Sequence, residues 1–289
     1  MIERMARPLR GLSNGIAAAV DGVYRVLGGP GKVLQDFLNG SWLGHSLHAV
    51  LVDVVIGAAT AALLLDLLRT FFAVDGLELA TIWVIGLAAL SALGAIITGL
   101  TDYKDTAPDS SERDITGFHG LINIVATVLF AISFFQRLGD GHDAAFWTLL
   151  IGYLVVSVGG YIGGHVVFKY GYMVNHNAFS RGKRAKEFTP IAAVAAVPEG
   201  APTKVMFGTT ALLVVRRGDV VNVLRETCSH AGGPLSEGEL KGDTITCPWH
   251  QSTFRLTDGS VVHGPAGTAQ PAYRARISGD QVEIQGPHG

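Results

Sequence analysis

Charge is scarce in this sequence. Only 16% of the 289 residues are Asp, Glu, Lys or Arg, while 48% are hydrophobic, a balance too apolar for an ordinary soluble chain. A formal net charge of −2 leaves out the basic footprint of a nucleic-acid binder, so no nucleic acid is expected as a partner. Cysteine is scarcer still. The two present, Cys228 and Cys247, lie 19 positions apart in the C-terminal part, which rules out a framework of several disulfides. No cleavable leader is expected: the basic start MIERMARPLRGLSNG is not followed by an apolar core and a small-residue cleavage site.

The apolar excess sits in the first 170 residues, and the composition shifts near residue 185. Four stretches, 48–68, 79–100, 118–135 and 146–168, approach the ~20 residues a helix needs to cross a ~30 Å hydrocarbon core. Their connections are short or polar, which predicts an up-down-up-down bundle. A soluble four-helix core would show polar faces that these stretches mostly lack. Twelve Lys and Arg flank one side of the bundle, and only Arg69 and Arg137 flank the other. The positive-inside rule then places both termini in the cytoplasm of a multi-pass cell-membrane protein, with the lipid bilayer as first partner.

Histidines collect at one depth. His45 and His48 open the first helix, His119 the third, and His165 closes the fourth, with His176 just beyond. Asp102 joins them, and only His142 falls at the opposite end. Ionisable groups in a bundle usually face the interior and mark function. Three readings follow. A b-type haem would use His119 with either His48 or His165, with Asp53 and Asn123 orienting an imidazole and the glycines of GGYIGGH giving the macrocycle room. A quinone or proton site would use the same residues, or they form a structural polar cluster.

Beyond Lys204 the pattern changes to short β-branched runs separated by Gly-containing turns, which predicts an all-β sandwich or open barrel. Two loops interrupt it, CSHAGGPL and CPWHQSTF. They give Cys228-x-His230, sixteen intervening residues, then Cys247-x-x-His250. Zinc sites usually pair Cys with Cys and His with His. The crossed pairing here suits a [2Fe–2S] cluster in which one iron takes two thiolates and the other two imidazoles. Gly232, Gly233, Pro234 and Pro248 permit the tight turns that aim the four ligands.

Residues 187–289 closely resemble the Rieske ferredoxin domains, and GPAGTAQPAY resembles that family's third, proline-containing loop over the cluster. The resemblance implies that Gly233 and Trp249 stand where high-potential members carry a disulfide. It also implies that Phe254 stands where they carry a sulfur-bonding tyrosine, and that Ser252 can bond a bridging sulfide. Those departures predict a low-to-intermediate Rieske potential. Trp249 is expected to pack beside the cluster. His230 and His250 are expected to keep an imidazole N–H near the surface as the electron exit, with His263 and His288 as ordinary surface residues. The runs LNGSWLGHSLHAVLVDVVIGA, GLTDYKDT, GFHGLINIVAT, GGYIGGHVVFKYG and VNHNAFS resemble a family of small bacterial membrane domains of unknown function, often fused to Rieske domains. That family usually has prolines where this chain has Ser46 and Ala49, a departure expected to loosen the helix start.

The expected architecture is thus a multi-domain membrane protein: an N-terminal segment (1–44), a four-helix transmembrane bundle (45–178), a linker (179–202) and an all-β Rieske-type iron-sulfur domain (203–289). Pro190, Pro198, Gly200 and Pro202 exclude a long helix from the linker, which reads as a plain spacer or a mobile tether. The expected function is one-electron transport between a cytoplasmic redox partner protein and the membrane, through haem or the quinone pool. The chain would be an electron-transfer component and not a stand-alone enzyme, and a homo-oligomer is compatible. A redox-sensing or assembly subunit with an inert anchor is the alternative. A part in a Rieske oxygenase system is less favoured, because the sequence leaves no room for the mononuclear iron domain.

Overall fold

The computed structural model describes residues 2–139, 141–179 and 184–288. Arg181 and Lys183, two of the twelve cations counted above, lie outside them, as does the first part of the expected linker. The chain forms two compact units. The first comprises residues 1–31 and 46–170, and the second residues 32–45 and 171–289.

In the first unit, α1 (Ile2–Ala6) and the start of α2 (Arg10–Asn39) precede four long helices, α3 (Leu47–Phe72), α4 (Glu78–Tyr103), α5 (Ser111–Arg137) and α6 (His142–Tyr170). All four are long and apolar enough to cross a membrane. Their polarity is inverted relative to a soluble bundle. Small residues face inward, among them Ala58, Ala59 and Ala62 of α3 and Ala88, Ala92 and Ala95 of α4. Large ones such as Leu64, Trp83, Leu90 and Leu154 face outward. Where lipid replaces water, small residues let backbones approach and gain dispersion contacts.

Local chemistry fixes the ends. Ser110 caps α5 by accepting the Arg113 N–H at 3.0 Å, with Glu112 and Asp114 in the first turn, where negative charge suits the helix dipole. Ser46 gives α3 no side-chain cap; its hydroxyl instead donates to the Asp102 carboxylate at 2.7 Å and ties the start of α3 to the end of α4. Arg10 holds Asp114 through Nε and Nη2, and Tyr103 donates to Ser13 O at 2.8 Å, so the first part of α2 packs onto this end of the bundle. At the other end, Arg137 and Asp66 form a fully buried two-pronged ion pair, with Nη1 2.9 Å from Oδ1.

The second unit carries two antiparallel sheets, one of six strands in the order β1-β10-β9-β4-β3-β2 and one of four in the order β5-β6-β7-β8. The strands are β1 (Ala185–Ala193), β2 (Thr203–Phe207), β3 (Thr210–Arg217), β4 (Val220–Arg225), β5 (Glu239–Lys241), β6 (Thr244–Thr246), β7 (Thr253–Arg255), β8 (Val261–His263), β9 (Ala272–Ser278) and β10 (Gln281–His288). The apolar run of β3 serves two cores. Leu213 and Val215 join Leu235, Ile245, Phe254 and Leu256 around the two cysteines. Leu212 and Val214 join Val223, Val282 and Ile284 on the opposite face. Alternation along a strand makes that division obligatory.

β1 lies within the residues read as linker, and it pairs antiparallel with β10. The prolines do exclude a helix. β1 is, however, an edge strand of its sheet, and an edge strand tolerates a proline such as Pro190.

Candidate metal centre

The two ligand loops are built alike. The Cys228 N–H donates to Gly233 O at 2.9 Å, and Cys228 O accepts from Gly232 N at 2.9 Å. In the second loop the Cys247 N–H donates to Ser252 O at 2.8 Å, and Cys247 O accepts from Gln251 N at 3.2 Å. Each pattern closes a tight turn whose fourth residue after cysteine is left-handed: Gly232 at φ 79°, Gln251 at φ 62°. Glycine takes that conformation without strain, whereas glutamine holds it at a cost. The turn folds main-chain N–H groups back onto sulfur, from His230 and Ala231 to Cys228, and from Trp249 and His250 to Cys247. Such donors favour thiolate over thiol.

The thiols are unbridged and buried, and they touch each other. Sharing a hydrogen bond lowers Cys247 to about 7 and, with burial, drives Cys228 far up: the first proton leaves readily and the second resists a second adjacent negative charge. The imidazoles of His230 and His250 lie 5.0 Å apart, nearly perpendicular. His230 is 4% exposed, and neither of its ring nitrogens has a hydrogen-bond partner. Burial, then the nearby His250 and His176, push its pKa down to about 3, which keeps the imidazole neutral, the form that could ligate a metal. An unpartnered buried imidazole is costly unless something ligates it.

Among the described residues the His, Cys, Asp and Glu side chains form no group of three or more suited to one ion. The four loop donors instead divide into a thiol pair and an imidazole pair. That division fits two bridged irons taking two protein ligands each, and fits a single tetrahedral zinc poorly. A Cβ on Gly233 would lie 2.7 Å from Cys247 Sγ and 3.1 Å from the Trp249 ring. Positions 233 and 249 therefore face each other across the site, with the indole, 57% exposed, laid over the glycine. Ser252 is fully buried, and its Oγ accepts from Ala266 N in the third loop at 3.2 Å. Phe254 is fully buried too, opposite Ile245 in the β6–β7 pairing.

His230 does not reach the surface. Residues 171–179 cover it: Tyr172 stands edge-on to its ring at 6.0 Å, the His176 N–H donates to Ser229 O at 3.0 Å, and Asn177 Nδ2 donates to Thr227 O at 3.0 Å. Of the two imidazoles, His250 is the more accessible. Gln270 locks the arrangement. Its Oε1 accepts from Ser229 N and Asn177 Nδ2, and its Nε2 donates to Arg225 O and Thr227 O, all within 2.7–3.0 Å. On the other flank, Asp36 accepts from His263 Nδ1 at 2.7 Å and Gly264 N at 2.9 Å, so His263 is a paired residue and not a free surface one. The His288 side chain is outside the described residues. Tyr172, Asn177, Gln270 and Asp36 carried no ligand-type signal in the sequence, although VNHNAFS and the third loop marked two of their neighbourhoods.

The histidines of the first half are divided. His48 and His119 face each other inside the four-helix unit, with ring centres 6.3 Å apart. His165 lies 3.4 Å from Glu3. His45 belongs to the second unit, where its main chain would meet a Cβ on Gly267 at 3.1 Å. Asp53 is exposed on α3, and Asn123 packs beside His119.

Residues 187–274 match the family model described as the Rieske [2Fe-2S] domain, and residues 44–176 match the one described as Predicted membrane protein (DUF2231). Ferredoxin CarAc of Metapseudomonas resinovorans is 32% identical over 79 residues, covering 27% of this chain and 74% of that protein. The anthranilate 1,2-dioxygenase ferredoxin subunit of Burkholderia cepacia is 30% identical over 98 residues, covering 34% and 91%. The cytochrome bc1 complex Rieske iron-sulfur subunit of Streptomyces lividans is 44% identical over 69 residues, covering 21% and 41%. Among solved structures, the ferredoxin of carbazole 1,9a-dioxygenase from Nocardioides aromaticivorans IC177 aligns at 26% identity over 34% of this chain and 97% of its own, with a TM-score of 0.33.

Proposed function

Since this chain belongs to the Rieske [2Fe–2S] family over residues 187–274 and to the DUF2231 membrane family over residues 44–176, we propose that it is a membrane-anchored carrier of single electrons. Cys228 and Cys247 hold one iron, and His230 and His250 hold the other. The observation that carries this reading is the pair of matching loops, which bring two thiols and two imidazoles together as pairs. When bound, the cluster supplies reversible one-electron transfer.

The chain's own residues shape that function. N–H donors on both sulfurs favour the reduced, more negative state, while Phe254 withholds a further hydroxyl, which keeps the potential below the top of the ~−150 to +300 mV Rieske range. With His230 covered by residues 171–179, the edge offered to a redox partner protein is His250 with the exposed Trp249. The four apolar helices serve as anchor and as the electron terminal on the membrane side, a haem or quinone site. The excess of Lys and Arg on one side of the bundle supports an orientation with both termini, and the redox partner, in the cytoplasm.

Anaerobically purified full-length protein is expected to hold about two irons and two acid-labile sulfides per chain, with an EPR signal on reduction that Cys228→Ser or His250→Ala abolishes. Zinc in place of iron, or neither element, would end the electron-carrier reading. A C-terminal reporter active only outside the cytoplasm would reverse the orientation.

A further inference from the structure

The four-helix unit contains one internal device used twice. In the α3–α4 hairpin, His48 Nδ1 lies 2.8 Å from the carbonyl oxygen of Ala95. One turn beyond Ala95, a Cβ on Gly99 would lie 2.8 Å from the same ring. In the α5–α6 hairpin, His119 Nδ1 lies 2.9 Å from the carbonyl oxygen of Gly159, and one turn further a Cβ on Gly163 would lie 2.8 Å from the ring. The sequences run in parallel, LHAVLVDVV against FHGLINIVA. Each hairpin therefore presents one imidazole, seated in a glycine notch and anchored to main chain.

The anchors decide the chemistry. A carbonyl oxygen only accepts, so each Nδ1 carries the hydrogen and each Nε2 is left with its lone pair. Anchoring the distal N–H on a carbonyl is how metal-ligating histidines are commonly held. Ala95 is the only hydrogen-bond partner of His48 among the described residues, and Asn123 Nδ2, whose shortest bond is to His119 O at 2.8 Å, lies 3.2 Å from His119 Nδ1 and 3.4 Å from its Nε2. Two electron-pair donors thus stand in an apolar core. The ring centres are 6.3 Å apart and the planes 80° from parallel. A metal bound at ~2.0–2.1 Å by two trans imidazoles sets their centres about 6–6.5 Å apart. A quinone fits less well, because its carbonyl oxygens need donors and both ring N–H groups are already spent on main chain.

We propose that His48 and His119 are the axial ligands of a b-type haem seated between the two hairpins, which deepens the membrane end of the electron-carrier reading. The hairpins pack extensively along α4–α5 and much less along α3–α6, so the α3–α6 side is where a planar macrocycle would meet the least helix–helix packing. His165 is engaged with Glu3 and Tyr170 and serves no axial role.

The test uses full-length protein in detergent, made with haem precursor supplied and then titrated with ferric haem. One haem per chain is expected, with a sharp α-band on dithionite reduction. The ferric form should give a strongly anisotropic low-spin EPR signal, as near-perpendicular axial planes require. His48→Ala and His119→Ala should each weaken haem binding at least 100-fold and lose the low-spin signal, with partial recovery on adding imidazole. His165→Ala should bind as the parent does. Cluster EPR in the same samples reports folding and tests the carrier reading separately. Protein with a full cluster that takes up no haem overturns the proposal, as does haem retained in the double variant, or a non-haem metal in stoichiometric amount.

Discussion

Ser252 and Phe254, both fully buried, are the side chains that would tune the potential of the proposed centre. The Ser252 oxygen accepts from Ala266 N, which leaves its hydrogen available to donate, and in the proposed cluster reading a bridging sulfide would receive it. Ser252→Ala is expected to lower the midpoint potential by tens of millivolts while leaving cluster content unchanged, read by EPR-monitored redox titration. Phe254→Tyr should move it the other way. Trp249 acts differently, by lying over Gly233 beside the Cys247 sulfur. Trp249→Ala should leave the potential nearly unchanged and speed cluster loss to a chelator several-fold, followed as bleaching of the visible absorbance. At this scale the spacing Cys228-x-His230 and Cys247-x-x-His250 marks four candidate ligands in the sequence, and the structure adds that the two loops are built alike and bring the two imidazole centres within 5.0 Å.

Helices, strands and loops are held by contacts that no local pattern announces. Gln270 makes four hydrogen bonds to three segments, yet in the sequence it is one glutamine before a proline. Gln270→Ala removes the acceptor of the buried Ser229 N–H and a donor to Arg225 O and Thr227 O, the latter still held by Asn177 Nδ2, which should cost roughly 2–3 kcal/mol in denaturant unfolding. Asp36 and His263 pair across a separation of 227 residues. Removing the carboxylate with Asp36→Ala should cost about 1.5–3 kcal/mol, the range of a charge-assisted hydrogen bond. In the bundle, Arg137→Ala leaves Asp66 as an unpaired charge among apolar helices, and a loss on the order of 3–5 kcal/mol is expected. Detergent melts should show it, and the double variant with Asp66→Ala should recover much of the loss. The four spans were readable from hydropathy because each needs only its own residues. β1 was not, since its identity as a strand depends on β10 and not on its own proline-containing sequence.

The molecule as a whole consists of two bodies with separate cores. Heating should therefore give two transitions that different probes report at different temperatures, helical ellipticity for one and cluster absorbance for the other. The sequence order of those bodies hides their membership. Residues 32–45 and 171–179 flank the four long helices in the chain, yet both fold with the strands. Composition could not reveal this, because both segments resemble ordinary connectors. The practical consequence concerns dissection: the iron-sulfur half is not a detachable bead. A soluble fragment cut at residue 185 would leave behind Tyr172, His176, Asn177 and Asp36, so a ligand that is sealed in the intact chain would lie bare to water. Such a fragment is a poor proxy for the parent, and a faithful one must splice both severed pieces back in.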